Sequence, residues 1–480
     1  MTGVTVHDFD LRFVSLRARI PFRYGIATLT AVPQVLVFLE VGVGGRLSRG
    51  VAADALPPKW FTKDPGAPYD REAADMIEVI RAACGHAVAS GRRASLFALW
   101  REVWAAQAEW AMGKGFPPLL WGFGVSLVER AVIDAICRAL DISFATAVRG
   151  NALGIDLGAM HPELAGLGPT DLLPTVPSRR LRVRHTVGLA DPLTDEDIAP
   201  EERVDDGLPQ SLEACILRYG LTHFKIKVPA DAQAAVDRLG RIAALVAKYH
   251  GEYAFTLDGN EFLADVGALR GLWSTLMGDG RVAEFVRGGL VALEQPLRRD
   301  AALDDGARAG LLAWVDRPPI IIDESDAEIG SLPRALDCGY AGTSHKNCKG
   351  VIKGIASACL LECRRRGGGM RLLLTGEDLA NFGPVAPLQD MAVVATLGLE
   401  HAERNGHHYF GNLRAYPSPI WRGALGGHAD LFREDGVGGP PVFDVRNGAL
   451  AVGSVVDAPF GFAPAIEPGW FRPLDEWRPS

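Results

Sequence analysis

Phe224-Lys225-Ile226-Lys227-Val228 is the stretch on which the rest of the chain is organised. Its neighbours favour β structure and Pro229 follows it, so Thr222 to Val228 reads as a strand. Side chains alternate faces along a strand, which puts both lysines on one face and Ile226 on the other. Two ammonium groups on an inward face repel and lose hydration, so they need acids nearby. The sequence supplies these in order: Asp258 in Leu257-Asp258-Gly259-Asn260, Glu294 in Leu293-Glu294-Gln295-Pro296, and Asp323 in Asp323-Glu324-Ser325. Lys346 follows in Ser344-His345-Lys346-Asn347-Cys348-Lys349-Gly350.

Around these residues, from about position 184, a strand-then-helix pattern repeats. The strands expected are 185–189, 223–228, 254–258, 291–294, 320–323, 342–346, 371–375 and a segment near 399–403. Amphipathic stretches such as 232–250 and 351–366 lie between them. Seven or eight such units within ~220 residues favour a closed parallel barrel, usually ~250 residues long. An open doubly wound sheet is the alternative, but no Gly-x-Gly-x-x-Gly turn follows an early strand.

Upstream, residues 11–17, 34–41 and 50–56 read as strands, with Ile20 to Ile26 as a loop carrying an aromatic and a cation. Residues 70–89, 94–112 and 124–140 have helical spacing. In the last of these, the charges of Val128 to Ile136 are read as a solvated or inter-helix face. Residues 150–181, rich in Gly, Pro and Leu without a period, read as a linker or insertion. Residues 411–480 are turns and short strands, expected to pack back on the N-terminal sheet.

At 480 residues the chain exceeds one core, and the division expected is 1–183, 184–410 and 411–480. A net charge of -8 gives no basic footprint for nucleic acid. No run of about 20 apolar residues suggests a membrane span. Seven cysteines without Cys-x-x-Cys spacing, and a polar start at Met1 to Asp8, lead to the expectation of a reducing cytoplasm.

In a barrel the active site lies at the carboxyl ends of the strands. Asp258, Glu294 and Asp323 each end a successive strand, and three converging carboxylates raise one another's pKa unless a cation joins them. An all-oxygen shell suits Mg²⁺, which polarises a substrate carboxylate and holds the charge developing as the adjacent C–H breaks. Burial beside a metal and a second ammonium is expected to lower a lysine pKa into the range of a useful base. Lys227 is then expected to serve one face of the substrate and Lys346 the other, with Lys225 tuning Lys227. His345 is expected to point outward.

These motifs resemble the enolase superfamily, and more narrowly its muconate-lactonizing-enzyme-like subgroup within the mandelate racemase/muconate lactonizing enzyme family. Lys225-Ile226-Lys227 is similar to that group's Lys-x-Lys, the three acid motifs to its metal ligands, and Lys346 to Gly350 to its sixth-strand lysine segment. The resemblance implies an α/β chain: a modified TIM barrel of (β/α)7β form, with an α+β capping domain built from both termini. It also implies one Mg²⁺ and a small-molecule carboxylate substrate, and suggests a homo-oligomer. Tyr24, on a loop that closes over substrate in the family, is expected to contact substrate, as are Asn260, Glu377 and Glu403. Glu403-Arg404-Asn405 stands where dipeptide epimerases carry Asp-x-Asp, which argues against a dipeptide. His407-His408 read as either pocket-lining or surface residues. The reaction expected is abstraction of the proton α to a carboxylate, giving an enediolate and serving racemisation or epimerisation. Dehydration of an acid sugar or hydroxy acid, or cycloisomerisation, are alternatives on the same scaffold, and a non-catalytic metal-binding barrel is the alternative of another class.

Overall fold

The computed structural model describes residues 2–368 and 371–478. Its first layer is an antiparallel meander of β1 (Val4–Tyr24), β2 (Ala27–Val43) and β3 (Arg46–Ala55). Strand β2 is central, and Val35 to Leu39 are buried at every position, without alternation, because both faces are covered. The expected loop at 20–26 is instead the end of a β ribbon: Phe22, Arg23 and Tyr24 pair with Leu29, Thr28 and Ala27. Helices α1 (Tyr69–Ala89), α2 (Leu96–Met112) and α3 (Pro118–Leu140) complete the cap. Gly50 lets β3 press on α3, where a Cβ would lie 1.9 Å from the carbonyl oxygen of Ala131.

The charges of α3 are not a solvated face. Arg130 and Asp54 form an ion pair at 2.7 Å with both side chains 0% exposed. Arg130 also donates to the Ala53 carbonyl at 3.1 Å. Asp134 accepts from the Val51 amide at 3.0 Å, and Glu129 accepts from the Val351 amide. Cap and barrel are therefore joined by buried polar groups, which helical spacing alone does not reveal.

The second body is a barrel. Strands β4 (Arg180–Val187), β5 (His223–Lys227), β6 (Ala254–Asp258), β7 (Leu290–Glu294), β8 (Ile320–Ile322), β9 (Gly342–His345), β10 (Leu373–Gly376) and β11 (His401–Glu403) pair in parallel in that order. Pairing of β11 with β4 closes the ring and excludes the open sheet. At least one helix lies between each successive pair of these strands. Between β6 and β7 there are two, Val266–Gly278 and Gly280–Gly289. Outward residues such as Phe224 and Ile226 join the main core with the helices. Inside, Ala292, Ile321 and Ala341, with Leu373 against them, form a separate apolar cluster.

Residues 150–181 are not a loose linker. Leu153, Leu157 and Leu164 are fully buried, and short helical turns at Pro162–Leu164 and Pro169–Leu172 lie against the helix Val351–Arg366. The chain beyond the barrel forms β12 (Phe432–Glu434), β13 (Pro441–Phe443), β14 (Ala449–Ala451) and β15 (Arg472–Pro473). Of these four strands β15 joins the N-terminal sheet, on β1, while β14 runs antiparallel to barrel strand β4. No described helix is long and apolar enough to cross a membrane.

Burial pushes the Glu129 carboxyl up to about 8, despite the amides of Val351 and Ile352 and the charge of Arg130. Folded protein thus holds a proton that the unfolded chain releases near 4.5, so this group's contribution is full below 4.5 and is lost as pH rises to about 8. The neutral Glu129→Gln variant should gain on the parent through that window by about 1.4 kcal/mol per pH unit. Urea unfolding of both proteins across the window checks this; parallel pH profiles would contradict it.

Candidate active site

Strand register sets the site. Lys227, Asp258 and Glu294 are direct neighbours on β5, β6 and β7, each the last residue of its strand. Asp323, Lys346 and Glu377 follow the ends of β8, β9 and β10 by one residue. All are buried at the carboxyl ends of the strands. In an eight-strand ring β5 and β9 lie opposite one another, so Lys227 and Lys346 face each other with β6, β7 and β8 between them.

Lys225, one inward step below Lys227, donates to Glu294 Oε1 at 2.7 Å, Glu377 Oε2 at 2.8 Å and Glu403 Oε2 at 3.1 Å. Lys227 donates to Asp258 Oδ2 at 2.5 Å. Lys346 donates to Glu377 Oε2 at 2.7 Å and to Asp323 Oδ2. The second carboxylate oxygen of Asp323 accepts from Ser344 at 2.5 Å and from Lys349 at 3.1 Å.

These contacts fix the charges. Burial would raise Asp323, but the Lys346 and Lys349 ammoniums outweigh it and hold the carboxyl below its usual range. Asp258 is lowered in the same way by Lys227 and Lys225, and Glu377 strongly by Lys225, Lys346 and Arg184. Glu294 goes the other way: burial first, then the charge of Glu377, push it well up in spite of Lys225. Burial would lower Lys225 and Lys346, yet the surrounding carboxylates raise both well above an ordinary lysine. Against the protein's own groups, these two lysines are held protonated rather than poised as bases.

The acids fit a hard divalent cation. Ligand oxygens from Glu294, Asp323 and Glu377 lie within 4.8 Å of one another. Glu294 Oε2 is buried with no hydrogen-bond partner among the described residues, and its carboxyl is pushed up by burial first and then by the charges of Glu377, Asp258 and Asp323. In this arrangement Glu377 stands at the third corner, while Asp258 turns toward its lysines and accepts from the Asn260 amide at 2.8 Å.

Above the charged layer is a cleft of about 500 Å³. Lys225, Lys227, Asp258, Asp323 and Lys346 floor it; Phe22, Tyr24, Pro57 and Trp60 from the cap wall it. Tyr24, one of the lining residues, is held by its hydroxyl, which donates to the Pro58 carbonyl at 2.9 Å. Asn260 and Glu403 also line the space. Glu377 does not: at 1% exposure it lies beneath the floor, so the substrate contact expected of it is replaced by charge balance with Lys225, Lys346 and Arg184. His407 and His408 are buried and line no part of this cleft; His408 borders a separate groove beside Arg19. His345 turns away from the ring toward Gly354, its Nε2 donating to Asn347 Oδ1 at 3.0 Å.

Several site residues are given no role by the sequence motifs, even where they stand inside one. Arg184 on β4, 0% exposed, reaches Glu377 and donates to the Gly376 carbonyl at 3.3 Å. Gln295 accepts from the Asp323 amide at 2.8 Å and donates to Ser325 Oγ at 2.8 Å, which fixes the turn that carries Asp323. Trp60 places its ring 5.4 Å from the Lys346 ammonium. Glu324, beside Asp323, lines the cleft and is pushed up to about 7 by burial and by the charges of Asp323 and Glu261.

No protein-family model matches the chain, and no curated protein does. Solved structures do. A mandelate racemase/muconate lactonizing protein from Herpetosiphon aurantiacus superposes with a TM-score of 0.59 at 16% identity, over 94% of this chain and 97% of that one. A muconate lactonizing enzyme from Pseudomonas fluorescens, complexed with muconolactone, gives 0.57 at 16%, over 93% and 94%. An enolase from Bradyrhizobium, complexed with magnesium and mandelic acid, gives 0.57 at 14%, over 94% of each. Agreement over nearly the whole of both chains, cap and barrel together, establishes that this protein has the fold of the mandelate racemase/muconate lactonizing enzyme structures.

Proposed function

We propose that the protein is an enzyme that removes the proton α to a carboxylate and returns it, most simply as a racemase or epimerase of a small carboxylic acid. The observation that carries this reading is the placement of Lys227 and Lys346 on opposed strands, with an acid on each of the three strands between them. Lys227 takes the proton from one face of the substrate carbon, and Lys346 delivers or takes it on the other. Lys225, already within reach of four carboxylates, balances charge below the reacting carbon. Glu294 and Asp323, with Asp258 or Glu377 as the third donor, would hold Mg²⁺. Bound there, Mg²⁺ would supply a Lewis acid for the substrate carboxylate and would take up carboxylate charge that otherwise keeps Lys225 and Lys346 protonated. The aromatic wall of Phe22, Tyr24 and Trp60 suits an apolar substituent and excludes water from the carbon. Among the similar structures, one is a muconate lactonizing enzyme and one holds magnesium with mandelic acid, which agrees with a carboxylate at this position. The (β/α)7β reading of the barrel belongs to the same proposal.

Incubating a panel of carboxylic acids in D₂O with Mg²⁺ tests the reaction. Loss of the α-proton signal without net product is expected. New alkene signals would indicate a dehydratase, a lactone product a cycloisomerase, and silence across the panel a non-catalytic barrel.

The third metal donor is separable. Glu294→Gln should abolish Mg²⁺ binding measured by calorimetry. If Asp258 is the third donor, Asp258→Asn weakens Mg²⁺ more than Glu377→Gln does. The reverse order assigns Glu377, and no loss in any of the three variants would reject this metal site.

A further inference from the structure

Outside the catalytic ring, the seam where the barrel closes holds a second group of metal-competent side chains. His185 lies on β4, Cys215 on the crossover helix Leu212–Tyr219, and His408 on the short helix Gly406–Tyr409 that follows β11. All three are buried, and one donor atom from each lies within 4.8 Å of the others. The donors are one sulfur and two imidazole nitrogens, the set that suits a borderline-soft ion and not Mg²⁺.

Two further observations point to a ligand. Cys215 Sγ and His408 Nδ1 are 3.6 Å apart. Zn–S of about 2.3 Å and Zn–N of about 2.05 Å at a tetrahedral angle put sulfur and nitrogen about 3.6 Å apart, so this edge already has the length a zinc site needs. A thiol hydrogen bond has a similar length but serves only that pair. It leaves His185 Nδ1 buried with no hydrogen-bond partner among the described residues, a loss that a buried polar atom does not ordinarily bear. Burial also pushes His185 down to about 4 and His408 well below its usual value, so both rings are neutral and offer lone pairs. His408 borders a surface groove shared with Arg19 and Asp191, which gives an ion a way in.

We propose that His185, Cys215 and His408 form a Zn²⁺ site that staples the first barrel strand, its crossover helix and the segment leaving the last strand. Water completes the tetrahedron. Binding exchanges the Cys215 thiol proton, released to solvent, for a Zn–S bond, and no electron moves. The role is structural: the three donors come from the elements on either side of the β11–β4 closure, so the ion resists opening of the ring there. This proposal is independent of the reaction assigned above.

Cobalt substitution of the full-length protein tests it. After dialysis against a chelator, Co²⁺ is titrated in excess Mg²⁺ and followed by absorption. One equivalent with an intense thiolate-to-cobalt charge-transfer band is expected, bleached by Zn²⁺. Cys215→Ser should lose the band, His185→Gln should bind Co²⁺ more weakly, and Glu294→Gln should keep the band in full. Zn²⁺ should also raise the melting temperature of the parent and not that of Cys215→Ser. No thiolate band in the parent, or an undiminished band in Cys215→Ser, overturns the site. Should Cys215→Ser fold poorly by circular dichroism, His185→Gln decides: unchanged cobalt affinity there overturns it equally.

Discussion

Replacing Lys346 by Ala is expected to stop α-proton exchange from one stereoisomer of the substrate while the other still exchanges. Lys346 and Lys227 stand on opposed strands, so each can reach only one face of a carbon held between them. Loss of a positioned general acid or base costs about 10²–10⁴-fold, and here that loss falls on a single stereoisomer. Lys227→Ala should show the mirror result. Exchange is followed by NMR in D₂O from each pure enantiomer. Equal slowing of both enantiomers by either substitution would show that the lysines position charge without dividing the faces.

Asp54→Asn is expected to destabilise the fold by about 3–5 kcal/mol, read as a shift in urea unfolding. The substitution keeps shape but leaves the Arg130 guanidinium buried without its counter-charge. Arg130→Met should cost less, because Asp54 escapes by protonation: burial, outweighing Arg130, already lifts its carboxyl to about 6. The double variant should then recover part of the Asp54→Asn loss, since a buried pair replaced by apolar or neutral groups is often close to neutral. Strict additivity of the two single losses would contradict a coupled pair.

What was legible in the sequence follows from the period of a strand. A barrel places one residue of each strand end at the same level, so Lys227, Asp258, Glu294, Asp323 and Lys346 betray the ring by recurring once per strand. Register is the weak point of such a reading. A strand begun at His185 hides Arg184, yet in the observed strand, Arg180–Val187, Arg184 reaches inward to Glu377 and His185 joins the outer layer. The partners of Glu129, which meets the start of another helix, and of Arg130, which meets a sheet, are hidden for another reason. Helical spacing shows that a face is charged, not that a sheet edge and a helix start 77 or 222 residues away lie against it. Residues 150–181 lack any period because they are packed as irregular turns, with Leu153, Leu157 and Leu164 buried and the turns Pro162–Leu164 and Pro169–Leu172 against the helix Val351–Arg366. Glu377 has the right residue type at a strand end, but only the three-dimensional charge balance distinguishes a floor carboxylate from a substrate contact.

The lysine–acid–lysine ring is tested most directly by a crystal of the protein grown with Mn²⁺ in place of Mg²⁺ and a non-reacting carboxylate analogue. The account predicts one anomalous peak among the oxygens of Glu294 and Asp323, with the analogue's α-carbon between the Lys227 and Lys346 amines. A peak outside that ring of acids, or an α-carbon that neither amine can reach, would contradict it.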